Sequence, residues 1–341
     1  MRRNLKLNSY ERLTRRLRNQ PVDRPPNFDI FMTFAAHYIR QPLARYYQDY
    51  RVLVDANLAM VEYFKVDLLQ AISDPYREAH DFGAKIIFPE DGLPVCEEPL
   101  LEDPAKIKML LNPGLSMGKR MSDRLEAVRL MRGKAGNEIP VMGWVEGALA
   151  EAGDLRGTQN LLMDILEEPD WLPELLEKIV EVEIEFAKAQ IQAGAHIIGL
   201  GDAVASLVSP DIYLRYALPY EQRIFQAVHK EGGWARLHIC GNTTAIVPHM
   251  IESGADIIDL DWMVDMKSAA KRFGNRVAFC GNMDPVAVML QARPEQVYLA
   301  TQKCIMEGGM NGINAAGCEI PDRTPVENLK AQHQALVDWS S

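Results

Sequence analysis

At 341 residues, with 48% hydrophobic and 25% charged residues, the chain has the composition of a globular protein large enough to bury a substantial core. A net charge of −10 with no block of basic residues argues against nucleic acid as a partner. No apolar run approaches the ~18 residues of a membrane span, and five cysteines, an odd number in a long chain, argue for a reducing, cytoplasmic compartment rather than a disulfide framework.

The opening stretch MRRNLKLNSYERLTRRLRNQ is basic but lacks the apolar centre of a secretory signal. Tyr10, Leu13 and Leu17 fall at helical spacing, which predicts an amphipathic helix ahead of the main fold. PNFDIFM (26–32) and KVDLLQAIS (65–73) read as the first two strands. Residues 74–118 are irregular and proline-rich, including AKIIFPEDGLPVCEEPLLEDP, and are expected as an excursion above the strand ends. From 139 onward, apolar runs alternate with helical patterns. The strand runs are IPVMGWVEG (139–147), HIIGLGD (196–202), ARLHICG (235–241), DIIDLD (256–261), RVAFCGNM (276–283) and INAAGC (313–318). The helical stretches are 170–193, 209–232, 243–253, 265–273, 294–307 and 325–339. Strand–helix alternation means parallel strands with crossover helices, and eight such units predict a (β/α)₈ TIM barrel. A doubly wound open sheet is the alternative for the same alternation. No linker divides the chain, so 1–341 is expected to be one domain with an N-terminal helical extension. GGMNG (308–312) precedes a strand instead of following one, so it reads as a turn and not as a phosphate loop.

His238 and Cys240 lie two apart on a predicted strand, and residues at that spacing share a face. Their run ends at Gly241-Asn242, which puts both near the strand's C-terminal end, where barrels carry their chemistry. Cys318 ends the last strand run and opens onto the same mouth. An imidazole and two thiolates make a natural zinc set, and three protein ligands leave a fourth position free. The alternative is that these cysteines are small core residues, as expected for Cys280 and Cys304; Cys96 is expected to be structural. Glu146 and Asp202 close two strands. Each reads either as a catalytic group (transient fourth ligand, proton donor, or anchor for His238) or as a cap on the helix that follows. Asp284, in NMDP, reads as a turn or cap residue. Phe28, Phe31, Phe34 and Tyr38 read either as an apolar pocket wall or as barrel core and first helix.

With SPDIYLRYALPYEQRIF (209–225), LHICGNTTAIVPHMIESGADIIDLD (237–261), FCGNMDP (279–285) and GCEIPDRTPVENLKA (317–331), the chain resembles the uroporphyrinogen decarboxylase superfamily over nearly its whole length. The HICGNT and GCEIP pieces resemble its zinc-dependent corrinoid methyltransferases, whose His-x-Cys and distant Cys match His238, Cys240 and Cys318. The decarboxylases carry MRQAGRY, with arginines for the porphyrinogen carboxylates. Here MTFAAHY (32–38) places Thr33, Phe34 and His37 where Arg, Gln and Arg would stand, and Cys318 stands where they have a His. Asp74, in AISDPYREA, matches their catalytic Asp, which keeps uroporphyrinogen decarboxylation as the alternative activity. The resemblance implies methyl transfer between cobalamin on a partner corrinoid protein and a small molecule, either a methyl donor such as an aryl methyl ether or a thiol acceptor. It places Phe34, His37, Tyr38 and Asp74 against the substrate, and a homodimer is compatible with it. A carrier or sensor that itself binds the corrinoid is disfavoured, because no Asp-x-His-x-x-Gly is present.

Overall fold

The computed structural model describes residues 6–110 and 117–339. Its strands are β1 (Leu69–Gln70), β2 (Ile86–Ile87), β3 (Val95–Cys96), β4 (Val141–Glu146), β5 (Ile197–Gly201), β6 (Trp234–His238), β7 (Ile257–Leu260), β8 (Ala278–Met283) and β9 (Ile313–Ala316). Seven of them form one parallel sheet in the order β1-β4-β5-β6-β7-β8-β9, and β2 and β3 make a small antiparallel hairpin.

The eighth position of the ring belongs to residues 26–28. Phe28 N–H donates to the Asn314 carbonyl at 2.8 Å and Asn314 N–H to the Pro26 carbonyl at 3.0 Å. On the other side Asp67 N–H donates to the Asn27 carbonyl at 2.9 Å. The sheet therefore closes into a barrel and is not an open doubly wound sheet. The predicted strand over 26–32 is reduced to one bridge, Asn27 to Asn314. Pro25 and Pro26 have no N–H to give, and the Asn27 N–H goes to the Asp67 carboxylate at 2.8 Å.

Period-two alternation sorts each strand. On β6, Ala235 and Leu237 pack outward against the helices, while Arg236 and His238 point into the barrel. Phe28, Ile30, Met142, Trp144, Ile197, Ile257, Cys280 and Ile313 fill the interior. The predicted N-terminal helix is Ser9–Leu17. Its Leu13 packs with that interior set, and Tyr10 lies 5.0 Å from the His196 ring and 5.8 Å from Trp234, covering the end opposite the mouth.

Most predicted helices are present, among them Trp171–Ala193, Met266–Phe273, Pro294–Gly308 and Val326–Val337. The stretch 209–232 splits into Pro210–Tyr216 and Leu218–Lys230, because Pro219 cannot continue a helix across that point. The excursion after β1 holds the helix Arg77–Phe82, the β2–β3 hairpin and a short turn of helix to Leu110; residues 111–116 of the predicted 74–118 segment lie outside the described residues. The excursion is tied to the rim where Ala44 N–H donates to the Glu90 carbonyl at 3.0 Å. No helix among the described residues is long and apolar enough to cross a membrane.

Candidate metal centre

The end of β6 delivers His238, and the turn that follows delivers Cys240. That turn is held by Asp261, which accepts from the Gly241 N–H at 2.7 Å and the Trp262 N–H at 2.6 Å. Gly241 has φ +93°, which glycine adopts without strain. Cys318 arrives from β9 through Gly317, where a Cβ would fall 2.6 Å from the Trp262 nitrogen, so only glycine permits this approach. The three donors converge. His238 Nε2 is 3.0 Å from Cys240 Sγ, the two sulfurs are 3.3 Å apart, and Cys318 Sγ is 3.8 Å from Nε2. Among the described residues this is the one group of three or more His, Cys, Asp or Glu side chains close enough to hold a metal ion.

Behind the triad stands a line of partners. His238 Nδ1–H donates to Asp259 Oδ2 at 2.7 Å, which turns Nε2 toward the sulfurs. Asp259 on β7 is gripped by Arg236 Nε at 2.8 and 3.1 Å, and Arg236 also donates to the Phe28 carbonyl at 3.3 Å. Burial would raise the Asp259 carboxyl, but Arg236 and then His238 outweigh it and hold it below its ordinary value. The Cys240 thiol is pushed up by Cys318 and by burial, while hydrogen bonding from Cys240, with His238 beside it, brings Cys318 down to about 4. An imidazole oriented by Asp259 and two cysteine sulfurs fit a soft tetrahedral cation such as zinc.

In front of the triad lies a cavity of about 180 Å³, lined by Ile30, Met32, Ile72, Trp144 and others, with Asp74, Glu146 and Glu319 at its wall. Gly199 and Gly201 on β5 make room for it, since a Cβ at either would strike the Trp144 ring at 2.3 or 2.9 Å. Trp144 Nε1–H and Arg77 Nη2–H both donate to Glu146 Oε1, at 3.1 and 2.8 Å. Burial raises the Glu146 carboxyl well above its ordinary value, and the partial relief from Arg77 is opposed by the neighbouring Glu78. Arg77 also meets Glu78 at 3.3 Å, and Glu151, Asp154 and Glu183 share the surroundings. Glu151 is fully buried, and neither of its carboxyl oxygens has a hydrogen-bond partner among the described residues. Asp74 accepts from Arg120 Nη2 at 2.6 Å and from Ser73 Oγ at 2.8 Å. Burial opposes its charge, but Arg120 and Arg77 hold it ionised and below its usual value.

The other expected site residues lie elsewhere. Asp202 is absent from the cavity wall. Its Oδ1 accepts from the Ala150 N–H at 2.9 Å, so it caps the helix Ala148–Arg156, and burial lifts its carboxyl to about 7. Phe34 and Tyr38 belong to an aromatic cluster with Phe31 and Phe64 on the helix Tyr50–Phe64, outside the barrel interior. His37 bridges the rim, with Nδ1 2.5 Å from Asp322 and Nε2 2.7 Å from Asp91. Phe28 fills the barrel interior, Asp284 caps the turn that follows it, Cys280 lies in the core beside Arg236, and Cys304 is buried on its helix. Sequence reasoning did not single out Asp259, Arg236, Arg77 or Trp144. Asp259 carried a usable signal, because it shares the inward parity of Ile257 on the strand next to His238.

The family model described as "Uroporphyrinogen decarboxylase (URO-D)" matches residues 8–339. The methylcobamide:CoM methyltransferase MtbA of Methanosarcina mazei is 33% identical over 339 residues, covering 96% of this chain and 97% of its own. A uroporphyrinogen decarboxylase of Nostoc sp. is 28% identical over 337 residues, covering 93% of each chain. Among solved structures, a methyltransferase from Methanosarcina mazei superposes with a TM-score of 0.86 over 97% of this chain and 98% of its own, at 24% identity.

Proposed function

The chain belongs to the uroporphyrinogen decarboxylase family and is an enzyme of its methyltransferase side, and we propose that it moves a methyl group between the cobalt of a corrinoid on a partner protein and a small molecule held beside His238, Cys240 and Cys318. The observation that carries this reading is the triad at the barrel mouth, with its imidazole oriented by Asp259. Zinc held there would supply Lewis acidity to the oxygen or sulfur of the small molecule.

The residues around it divide the remaining work. Asp259 and Arg236 keep His238 in one orientation. Trp144 and the aliphatic wall exclude water from the small molecule. Burial beside other acids pushes the Glu146 carboxyl well up from its ordinary value, toward its acid form, and it lines the cavity. A carboxyl group held in its acid form is a proton donor rather than a base. It suits a reaction in which cobalt(I) takes a methyl group and an alkoxide or phenolate oxygen needs a proton. The direction favoured here therefore runs from a methyl donor, such as an aryl methyl ether, to the corrinoid. A thiol acceptor in the reverse direction is the second form of the same activity.

The corrinoid arrives on another protein, docking over the mouth onto which the triad opens. We place the enzyme in the cytoplasm, where two sulfurs 3.3 Å apart stay reduced and available as ligands. Against decarboxylation of uroporphyrinogen stand the residues in place of the arginine clamps. Thr33 donates to Glu319, Phe34 is packed away, and His37 is held between two aspartates.

The test is incubation of the zinc-loaded protein with cobalt(I) cobalamin and aryl methyl ethers, followed by visible spectroscopy. Methyl-cobalt formation that disappears in Cys240→Ala supports the reading. Coproporphyrinogen formation from uroporphyrinogen at about 1 s⁻¹ or faster, without methyl exchange, overturns it.

A further inference from the structure

The cavity before the triad has about 180 Å³ of space. An apolar cavity of about 150 Å³ takes up benzene, so this one suits a single six-membered ring with a small substituent. Ile30, Met32, Ile72, Pro75, Trp144 and Ala203 give it an apolar wall.

Outside the triad, the ionisable side chains that reach the wall are all acids: Asp74, Glu146 and Glu319. No lysine or arginine lines it among the described residues. Two guanidinium groups stand behind these acids and are paired with them. Arg120 is 2.6 Å from Asp74 and donates to the Tyr47 carbonyl at 3.0 Å. Arg77 is 2.8 Å from Glu146 and 3.3 Å from Glu78. Turning either toward a ligand would break a buried charge-assisted contact and leave its acid in the wall. A divalent ion held by two thiolates brings no net positive charge. An anionic ligand would therefore lose its water shell and meet carboxyl oxygens with no cation free to answer it.

We propose that this site selects an uncharged, single-ring molecule and rejects its carboxylated or sulfonated counterparts. The proposal rests on the methyl-transfer reading and names the substrate class of that same site. For a methyl donor it means methoxybenzene over 4-methoxybenzoate. For a thiol acceptor it means benzenethiol over 4-mercaptobenzoate or 2-mercaptoethanesulfonate.

The experiment is isothermal titration of the zinc-loaded full chain with both matched pairs and with a trimethylammonium-substituted methoxybenzene, alongside the methyl-exchange assay. The uncharged member of each pair should bind about thirtyfold more tightly than the carboxylate, a loss typical of an anion desolvated without a partner. Asp74→Asn leaves Arg120 without its carboxylate and should narrow that ratio at least several-fold by admitting the anion. Asp74→Ala, which removes the same charge without introducing an amide, is the second variant if the first does not fold. Tighter binding of the carboxylates or of the trimethylammonium compound, with methyl exchange intact, overturns the selectivity and leaves methyl transfer standing. Binding of the uncharged members without any methyl exchange has the opposite meaning. A ratio unchanged in both folded variants overturns the role given to the acidic wall, and binding of neither pair overturns selectivity and methyl transfer together.

Discussion

Two buried polar clusters face one cavity, and they follow different rules. On the β6–β7 side, Arg236, Asp259 and His238 form a line in which one cation meets one carboxylate and the imidazole is oriented by it. On the β4 side, Arg77 is in contact with Glu78 and Glu146, while Glu151, Asp154 and Glu183 crowd the same surroundings. The first cluster balances its charge and so fixes a geometry. The second has more carboxyl groups than cations, and burial pushes those carboxyls toward their acid form. A metal site needs the first property, and a leaving oxygen needs the second.

The sharpest way to separate the two is to damage each. Cys318→Ala removes one of three metal donors, and metal analysis after dialysis should fall from about one zinc per chain to near zero, with methyl transfer abolished. Retained zinc would show that the triad is not the binding set. Glu146→Gln keeps the shape of the β4 cluster but cannot transfer a proton. It should lower kcat on a methyl ether by about 10²-fold or more while leaving zinc content unchanged. Wild-type activity should fall as pH rises through the elevated Glu146 value, since the acid form is the active one, and this alkaline limb should vanish in the variant. If zinc content falls in step with kcat, the two clusters are not separate in function.

Asp259→Asn tests the charge-balanced side more gently. The side chain keeps its shape but no longer offsets Arg236, and zinc affinity measured by chelator competition should drop about 10- to 100-fold. The smallest effect is on stability. Asp154, on the helix Ala148–Arg156, has its carboxyl raised by burial to about 8 from an ordinary value of 3.8. The folded state therefore binds more protons there than the unfolded chain, and stability is lost as pH rises between those values. Asp154→Asn should flatten the decline of Tm between about pH 6 and 8, a change of a few degrees by thermal melts. An unchanged slope would mean that this carboxyl does not share the upward shift of the β4 cluster.

What the sequence disclosed about this division was uneven. Alternation in ARLHICG was enough to put His238 and Cys240 on one face at a strand end, and GC at the end of the last run was enough for Cys318. The barrel was legible from the repeated strand–helix unit, and its first strand was read in the right place but too long, because a backbone bond replaced by the Asp67 side chain leaves no pattern. The β4 cluster was nearly invisible apart from Glu146. Arg77, Glu78, Arg120, Glu151 and Glu183 lie on helices, where charged residues ordinarily mark the solvent face, yet here they are buried. The helix Lys119–Ala135 escaped prediction for the same reason, since its inward face includes Arg120 and Arg124. The aromatic set of 28–38 shows the converse. Composition could not say which of Phe28, Phe34 and Tyr38 faces inward, and the backbone sends Phe28 to the barrel interior and the other two to the outer layer.

The seam where Asn27 meets Asn314 also governs how the protein is made. These two residues are 287 positions apart, so at synthesis rates of about 5–20 residues per second the ribosome works for roughly 15–60 s between producing one side of the seam and the other. Throughout that interval residues 26–28, already beside β1, have no closing neighbour on their other side, and the growing sheet carries two unpaired edges of the kind that recruit other chains. Asp67 is already available early. It gathers Ser9, Arg12, Arg24 and the Asn27 N–H around one carboxylate, which holds the first edge in position while the rest of the ring is translated.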